Sequence, residues 1–199
     1  MALGRPREFD ADAALEKAMN VFWKKGYEGT SLTDLTRAMR INRPSLYAAF
    51  GNKEQLFRKV VDRYNHGPNA CFATALAAAE IRDALARLLG RIVENLTNPK
   101  NPRGCLMVQG ALSCGNDADR VKKELIARRL AGECALKERF QLAIDQKQLP
   151  AESDAGALAK YFSTVIQGMA VQAASGATRG ELQRVADLAM ASLPATAQA

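Results

Sequence analysis

Apolar positions recur at three- and four-residue intervals along almost the whole chain, and almost nowhere do they alternate. Leu15, Ala18, Met19 and Phe22 give a first helix one apolar stripe. Asp10 stands at its start, Lys24 and Lys25 fall in its last turn where the dipole favours positive charge, and Gly26 stops it. Leu32, Leu35 and Met39 share one face of a short second helix, opened by the N-cap pair Ser31-x-x-Asp34. The pattern breaks at Arg40, Ile41 and Asn42. Pro44, which lacks the N–H that a first helical turn leaves unpaired, then opens another short helix. Its inward face is Leu46, Ala49 and Phe50, and its outward face is Arg43, Ser45, Tyr47 and Ala48. Gly51 ends it, and Asn52-Lys53-Glu54-Gln55 caps a longer helix through Val60, Val61 and Tyr64.

The sequence His66-Gly67-Pro68 ends or kinks that helix, and a domain boundary is expected there, dividing residues 1–64 from residues 65–199. A helix is expected to resume near Asn69. Residues 81–96 carry Leu85, Leu88, Leu89, Ile92 and Leu96 at helical spacing, and the Asn98-Pro99-Lys100-Asn101-Pro102 loop follows. Residues 104–114 are mostly apolar and read as a helix buried on most sides. After a turn at 115–117, residues 119–146 form a long charged helix. Its expected stripe is Val121, Leu125, Ile126, Leu130, Leu136, Phe140 and Ile144. Ser153 or Asp154 caps the next helix, to about residue 175. Residues 176–180 form a turn, and residues 182–193 a last helix. With little Val, Ile or Thr alternation, the fold class is all-α.

Two short helices at the spacing of residues 31–50 describe a helix-turn-helix, whose second helix can enter a major groove. The net charge of +7 and pI near 9.4 acquire meaning beside that motif, because a polyanionic partner then becomes the natural reading. Arg37, Arg40 and Arg43 are uninterrupted by any acid between Asp34 and Glu54. The start, MALGRPREFD, carries no apolar core of signal-peptide length and no run of about 18 apolar residues occurs, so a cytoplasmic location is expected. Cys71, Cys105, Cys114 and Cys134 match no metal-ligand spacing, His66 is the lone histidine, and no metal or cofactor is expected. The cysteines read first as buried free thiols in a reducing compartment.

With Trp23-Lys24-Lys25-Gly26-Tyr27 before the motif and Ser45-Leu46-Tyr47-Ala48-Ala49-Phe50-Gly51-Asn52-Lys53-Glu54 after it, the chain resembles the TetR family of bacterial transcriptional repressors over residues 5–64. The resemblance implies a three-helix helix-turn-helix DNA-binding domain and a helical C-terminal domain for dimerisation and effector binding. It also implies a homodimer on palindromic double-stranded DNA, released by a small-molecule effector, with no enzyme activity and no membrane partner. Thr30 and Ser31 would contact phosphate, as would Tyr47 and Lys53; Arg43 and Ser45 would face the major groove. Arg43 would choose sequence, with Asn42 second. Arg5 and Arg7 would form a basic arm along the DNA, while at Arg40 either the turn differs slightly or a phosphate contact by Arg40 compensates.

Two positions depart from the family pattern. Arg40 stands where members usually have a small residue, often Gly, and Pro44 stands where many have Gly or Ala. A left-handed backbone at Arg40 would cost roughly 1 kcal/mol relative to Gly. For the effector pocket, the candidates are Cys105, Met107, Gln109, Phe140, Tyr161, Phe162, Gln167 and Met169, apolar walls with a few polar groups. Cys105 follows Gly104 near a helix start, so a repressor sensing oxidants or electrophiles through that thiol is an alternative. A helical enzyme is a remote one, since no phosphate loop or catalytic set is visible. The small-residue-rich segment 158–174 and segment 182–193 are the expected dimer surface, forming a four-helix bundle with their counterparts.

Overall fold

The computed structural model describes residues 9–112 and 118–195. Arg5, Arg7 and Cys114, and the turn at 115–117, lie outside the described residues. Among these residues there are ten helices and no strand, so the all-α expectation holds.

Helix α1 (Ala11–Lys25) is capped by Asp10, whose carboxylate accepts the Asp12 and Ala13 N–H groups, and it stops at Gly26 with φ 70°. Its buried face is Ala14, Ala18, Met19, Phe22 and Trp23. α2 (Leu32–Met39) begins with a reciprocal capping box between Ser31 and Asp34. α3 (Arg43–Phe50) is capped by Asn42, and α4 (Lys53–His66) by a second box between Asn52 and Gln55. The expected boundary at residue 64 thus falls two residues before the end of α4. Arg40 does adopt the left-handed conformation, φ 58° and ψ 41°, and its N–H closes the end of α2 on the Thr36 and Arg37 carbonyls.

The rest of the chain forms α5 (Cys71–Leu76), α6 (Ile81–Thr97), α7 (Leu106–Leu112), α8 (Asp119–Asp145), α9 (Ala155–Ala174) and α10 (Arg179–Ala191). Two apolar cores result. One joins α1–α4, which we call the head, and takes in Leu106, Met107, Val121 and Leu125 from α7 and α8. The other fills the body, from Leu85 and Leu88 of α6 through Phe140 and Phe162 to Leu182 and Leu193. Cys105 packs against both. The head therefore completes its core with side chains from well beyond residue 64.

Several expectations need correction. α10 begins at Arg179 rather than residue 182, because Thr178, inside the expected turn, forms a capping box with Glu181. Thr178 hydrogen bonds also hold the Glu181 carboxyl below its ordinary value. On α8, Ile126 and Leu130 are exposed, not part of a continuous stripe. That helix is buried against the head at Val121 and Leu125 and against the body at Leu136, Phe140 and Ala143, while small and polar residues in between face a cavity. Arg139, unnoticed in the pattern, is buried and donates to the Ala78 and Ala79 carbonyls at 3.1 and 2.8 Å, stapling the α5–α6 turn. Cys134 is exposed and Cys105 half-buried, so burial is not common to the thiols.

Replacing Arg40 by Gly removes the Cβ that the left-handed turn disfavours. Arg40→Gly is expected to raise the unfolding free energy by about 1 kcal/mol, seen as a higher urea midpoint at unchanged slope. An unmoved midpoint would count against strain in this turn.

Candidate nucleic-acid interface

The outward face of α3 is built by its own amphipathicity. Leu46 and Phe50 are buried in the head core, which turns Arg43 and Tyr47, one helical turn apart, to solvent. Tyr47 is 47% exposed, so its ring is not packed into the head core. Asn42 caps the helix, its Oδ1 accepting the Ser45 N–H at 2.8 Å, so its carbonyl end is already engaged. Arg43 donates from Nη2 to the Thr33 hydroxyl of α2 at 3.3 Å, which lays the guanidinium along the α2–α3 groove. Ser45 is half-buried and Arg40 exposed.

Around this face, acids are neutralised locally. The Asp34 carboxylate accepts from Lys25 Nζ at 2.8 Å and from the Ser31 N–H and hydroxyl at 3.0 and 2.8 Å. The Lys25 hydrogen bond first, then those from Ser31, hold that carboxyl well below the usual carboxylate range. Glu54 is engaged by Arg58 at 2.8 Å. Arg37, Arg40 and Arg43 are left as a cationic surface. Lys53, at the start of α4, lies 4.5 Å from the Tyr27 ring centroid, and burial pushes its ammonium below the ordinary lysine value, opposed by Glu28.

Thr30 departs from its expected role. It is fully buried, and its hydroxyl donates to the Gly26 carbonyl at 2.6 Å, so it shapes the α1–α2 turn. Ser31 is exposed, with hydroxyl and N–H spent on the capping box. Thr33, which positions Arg43, was not singled out from the sequence, and Tyr27, which positions Lys53, entered only as part of the motif before the turn. Neither carries a pattern of its own, because each acts through a residue distant in sequence.

A cavity of about 620 Å³ lies between α4, α6, α7, α8 and α9. Its walls are mainly apolar, with Phe72, Ile92, Met107 and Ile166, interrupted by Tyr64, Asn95, Arg129 and Gln167. Arg129 is partly committed, donating to the Met107 carbonyl at 2.8 Å, and Asn95 donates to the Pro68 carbonyl at 2.5 Å. Of the candidate pocket residues, Cys105, Met107 and Gln167 line it. Gln109, Phe140, Tyr161, Phe162 and Met169 do not. Phe140 and Phe162 meet at 5.5 Å within the body core, where Met169 also sits, Tyr161 is 42% exposed, and Gln109 packs against Gly104. Periodicity could separate inside from outside, but a cavity lining and a filled core look alike from one helix.

Residues 14–60 match the family model described as "Bacterial regulatory proteins, tetR family", and residues 82–189 match "Tetracyclin repressor-like, C-terminal domain". The chain belongs to the TetR family. It is 37% identical over 185 residues to the HTH-type transcriptional repressor ComR of Escherichia coli (strain K12), covering 92% of this chain and 88% of ComR. It is 32% identical over 163 residues to the uncharacterized HTH-type transcriptional regulator YezE of Bacillus subtilis (strain 168), covering 81% and 84%. Among solved structures, one of the cysteine-substituted TetR family regulator CifR, holding both its complex with 26-bp double-strand operator DNA and the apo protein, superposes with a TM-score of 0.91 at 40% identity, covering 96% of this chain and all of that one. This TetR-family chain is a transcriptional regulator of the repressor type, and its relatives are not enzymes. No helix among the described residues is long and apolar enough to cross a membrane.

The bonds to Asp34 set a pH dependence for this TetR-family head. A carboxyl whose folded value is depressed stabilises above its unfolded value and loses that contribution as pH falls through the folded one. Wild type should therefore melt higher than Asp34→Asn at pH 7, and the gap should close progressively as pH falls below the ordinary value of 3.8. Parallel melting curves across that range would remove Asp34 as the source.

Proposed function

We propose that this protein is a homodimeric repressor that binds a palindromic operator through α3 and leaves it when a small molecule occupies the body cavity. The observation that carries the reading is the α2–α3 surface, where Arg37, Arg40, Arg43 and Tyr47 are presented while the flanking acids are held by Lys25 and Arg58. Arg43 is the base reader, with Asn42 beside it, and Ser45, Tyr47, Lys53 and the arm carrying Arg5 and Arg7 hold the backbone. In the homodimer the two recognition helices sit about 34–36 Å apart, in successive major grooves. Residues 1–64 serve as the DNA-binding domain and residues 65–199 as the effector and dimerisation domain. The site of action is the cytoplasm, with the DNA.

Exposed apolar side chains on the last two helices support the dimer. Tyr161 and Val171 on α9, with Val185 and Leu188 on α10, lie uncovered, Leu188 at 70%. The cavity supports effector control, being large enough for a small ligand, mostly apolar and sparsely polar. This release does not require thiol chemistry at Cys105.

Selection of binding sites from random DNA, followed by affinity measurements against salt, tests the reading. A palindrome with a steep salt slope is expected, and no preferred sequence would refute it. Arg43→Ala should relax preference at one position per half-site, while Lys53→Ala should weaken all sequences alike and reduce the slope by about one. Leu188→Asp, on an exposed position, should give a folded monomer with weakened operator binding. A dimer by sedimentation would move the interface elsewhere.

A further inference from the structure

One contact between head and body is a buried hydrogen bond from a side chain to a backbone carbonyl. Trp23, the single tryptophan, donates from its buried indole Nε1 to the Gly104 carbonyl at 3.0 Å. Gly104 presents that carbonyl from a backbone conformation that other residues rarely adopt. Its φ is +86°, and the Gln109 side-chain amide lies 2.7 Å from where a Cβ would stand. At the next residue, the Tyr64 hydroxyl donates to Cys105 Sγ at 3.3 Å. Trp23 and Tyr64 meet edge to face, centroids 4.8 Å apart at 89°.

The placement of these residues joins three parts of the molecule. Trp23 lies in the last turn of α1 and Tyr64 in the last turn of α4, the two helices that carry α2 and α3 between them. Gly104 and Cys105 lead into α7 of the body. Tyr64 and Cys105 also line the cavity, so one of the two hydrogen bonds lies in its wall.

We propose that Trp23 and Tyr64 are positioning residues for operator binding: bonded to Gly104 and Cys105, they form a latch that fixes the head on the body, and filling the cavity acts on DNA binding by opening it. This rests on the repressor reading above and names the contact through which the cavity is felt. Opening the latch adds conformations in which the two heads are not spaced for the operator. Apparent affinity then falls with the fraction of competent dimer, while the contacts made by that fraction are unchanged. The salt slope, which counts phosphate contacts, therefore stays constant.

The test uses full-length Trp23→Phe and Tyr64→Phe, each of which keeps an aromatic ring and removes one donor, with the operator recovered by selection on wild type. Each variant is expected to weaken operator binding about three- to tenfold, the loss of one partly buried hydrogen bond, at wild-type salt slope and with a melting midpoint well above the assay temperature. Affinity within twofold of wild type in both would overturn the latch while wild-type operator binding left the repressor reading intact. A reduced salt slope would overturn it too, since that marks lost phosphate contacts. Filling the cavity from α9 by Ala170→Phe, or by Ser163→Leu if the former does not fold, should weaken operator binding in wild type and add little to Tyr64→Phe. No effect in wild type, or full additivity, means that cavity and latch are independent and overturns the proposal.

Discussion

The aromatic contact of Phe22, Tyr27 and Phe57 is the constraint from which the head takes its shape. Phe22 meets Phe57 edge-on at 5.0 Å and lies parallel to Tyr27 at 6.2 Å, while Tyr27 meets Phe57 at 5.1 Å. It joins the end of α1, the turn after Gly26 and the first half of α4 in one cluster. Truncating such a buried ring costs about 3–5 kcal/mol, a large part of a domain's net stability. α2 and α3 have eight residues each and cannot persist alone. They exist because α1 and α4 offer a braced surface for Leu35, Met39, Leu46 and Phe50. The same cluster places Lys53, whose ammonium lies over the Tyr27 ring.

Local hydrogen bonding then decides which polar groups of the head remain available. Caps consume the hydroxyl of Ser31, the carboxylate of Asp34 and the Oδ1 of Asn42. Thr30 is turned inward by the Gly26 carbonyl. The guanidinium of Arg43 and the ring of Tyr47 are presented outward, since the turns on either side of α3 are closed by Arg40 and by Gly51. Arg40 occupies a left-handed position without the glycine that would make it easy.

α8 links head and body because its apolar stripe is interrupted. It contributes Val121 and Leu125 to the head core and Leu136 and Phe140 to the body core. Between them, Arg128 bonds Asp62 of α4 at 2.6 Å and Glu124 at 3.1 Å. Burial works against the Arg128 charge, but those two carboxylates outweigh it and raise its value. The cavity opens where that helix carries Gly132 and Ala135 rather than bulky side chains.

The helices, their caps and the α2–α3 turn were legible in the sequence because each is set by neighbours three or four residues apart. Ser31 with Asp34, Asn52 with Gln55 and the stripe of α1 are all of that kind, and so is the outward register of Arg43 and Tyr47. The start of α10 was misplaced only because the Thr178–Glu181 box begins within a run that also reads as a turn. Tertiary structure alone decided the rest. Whether Phe140 lines a cavity or fills a core, whether Leu130 is covered, and that Trp23 reaches a carbonyl 81 residues away depend on which helices meet. Helical periodicity records which side of an element is apolar, and it carries no information about what that side will touch.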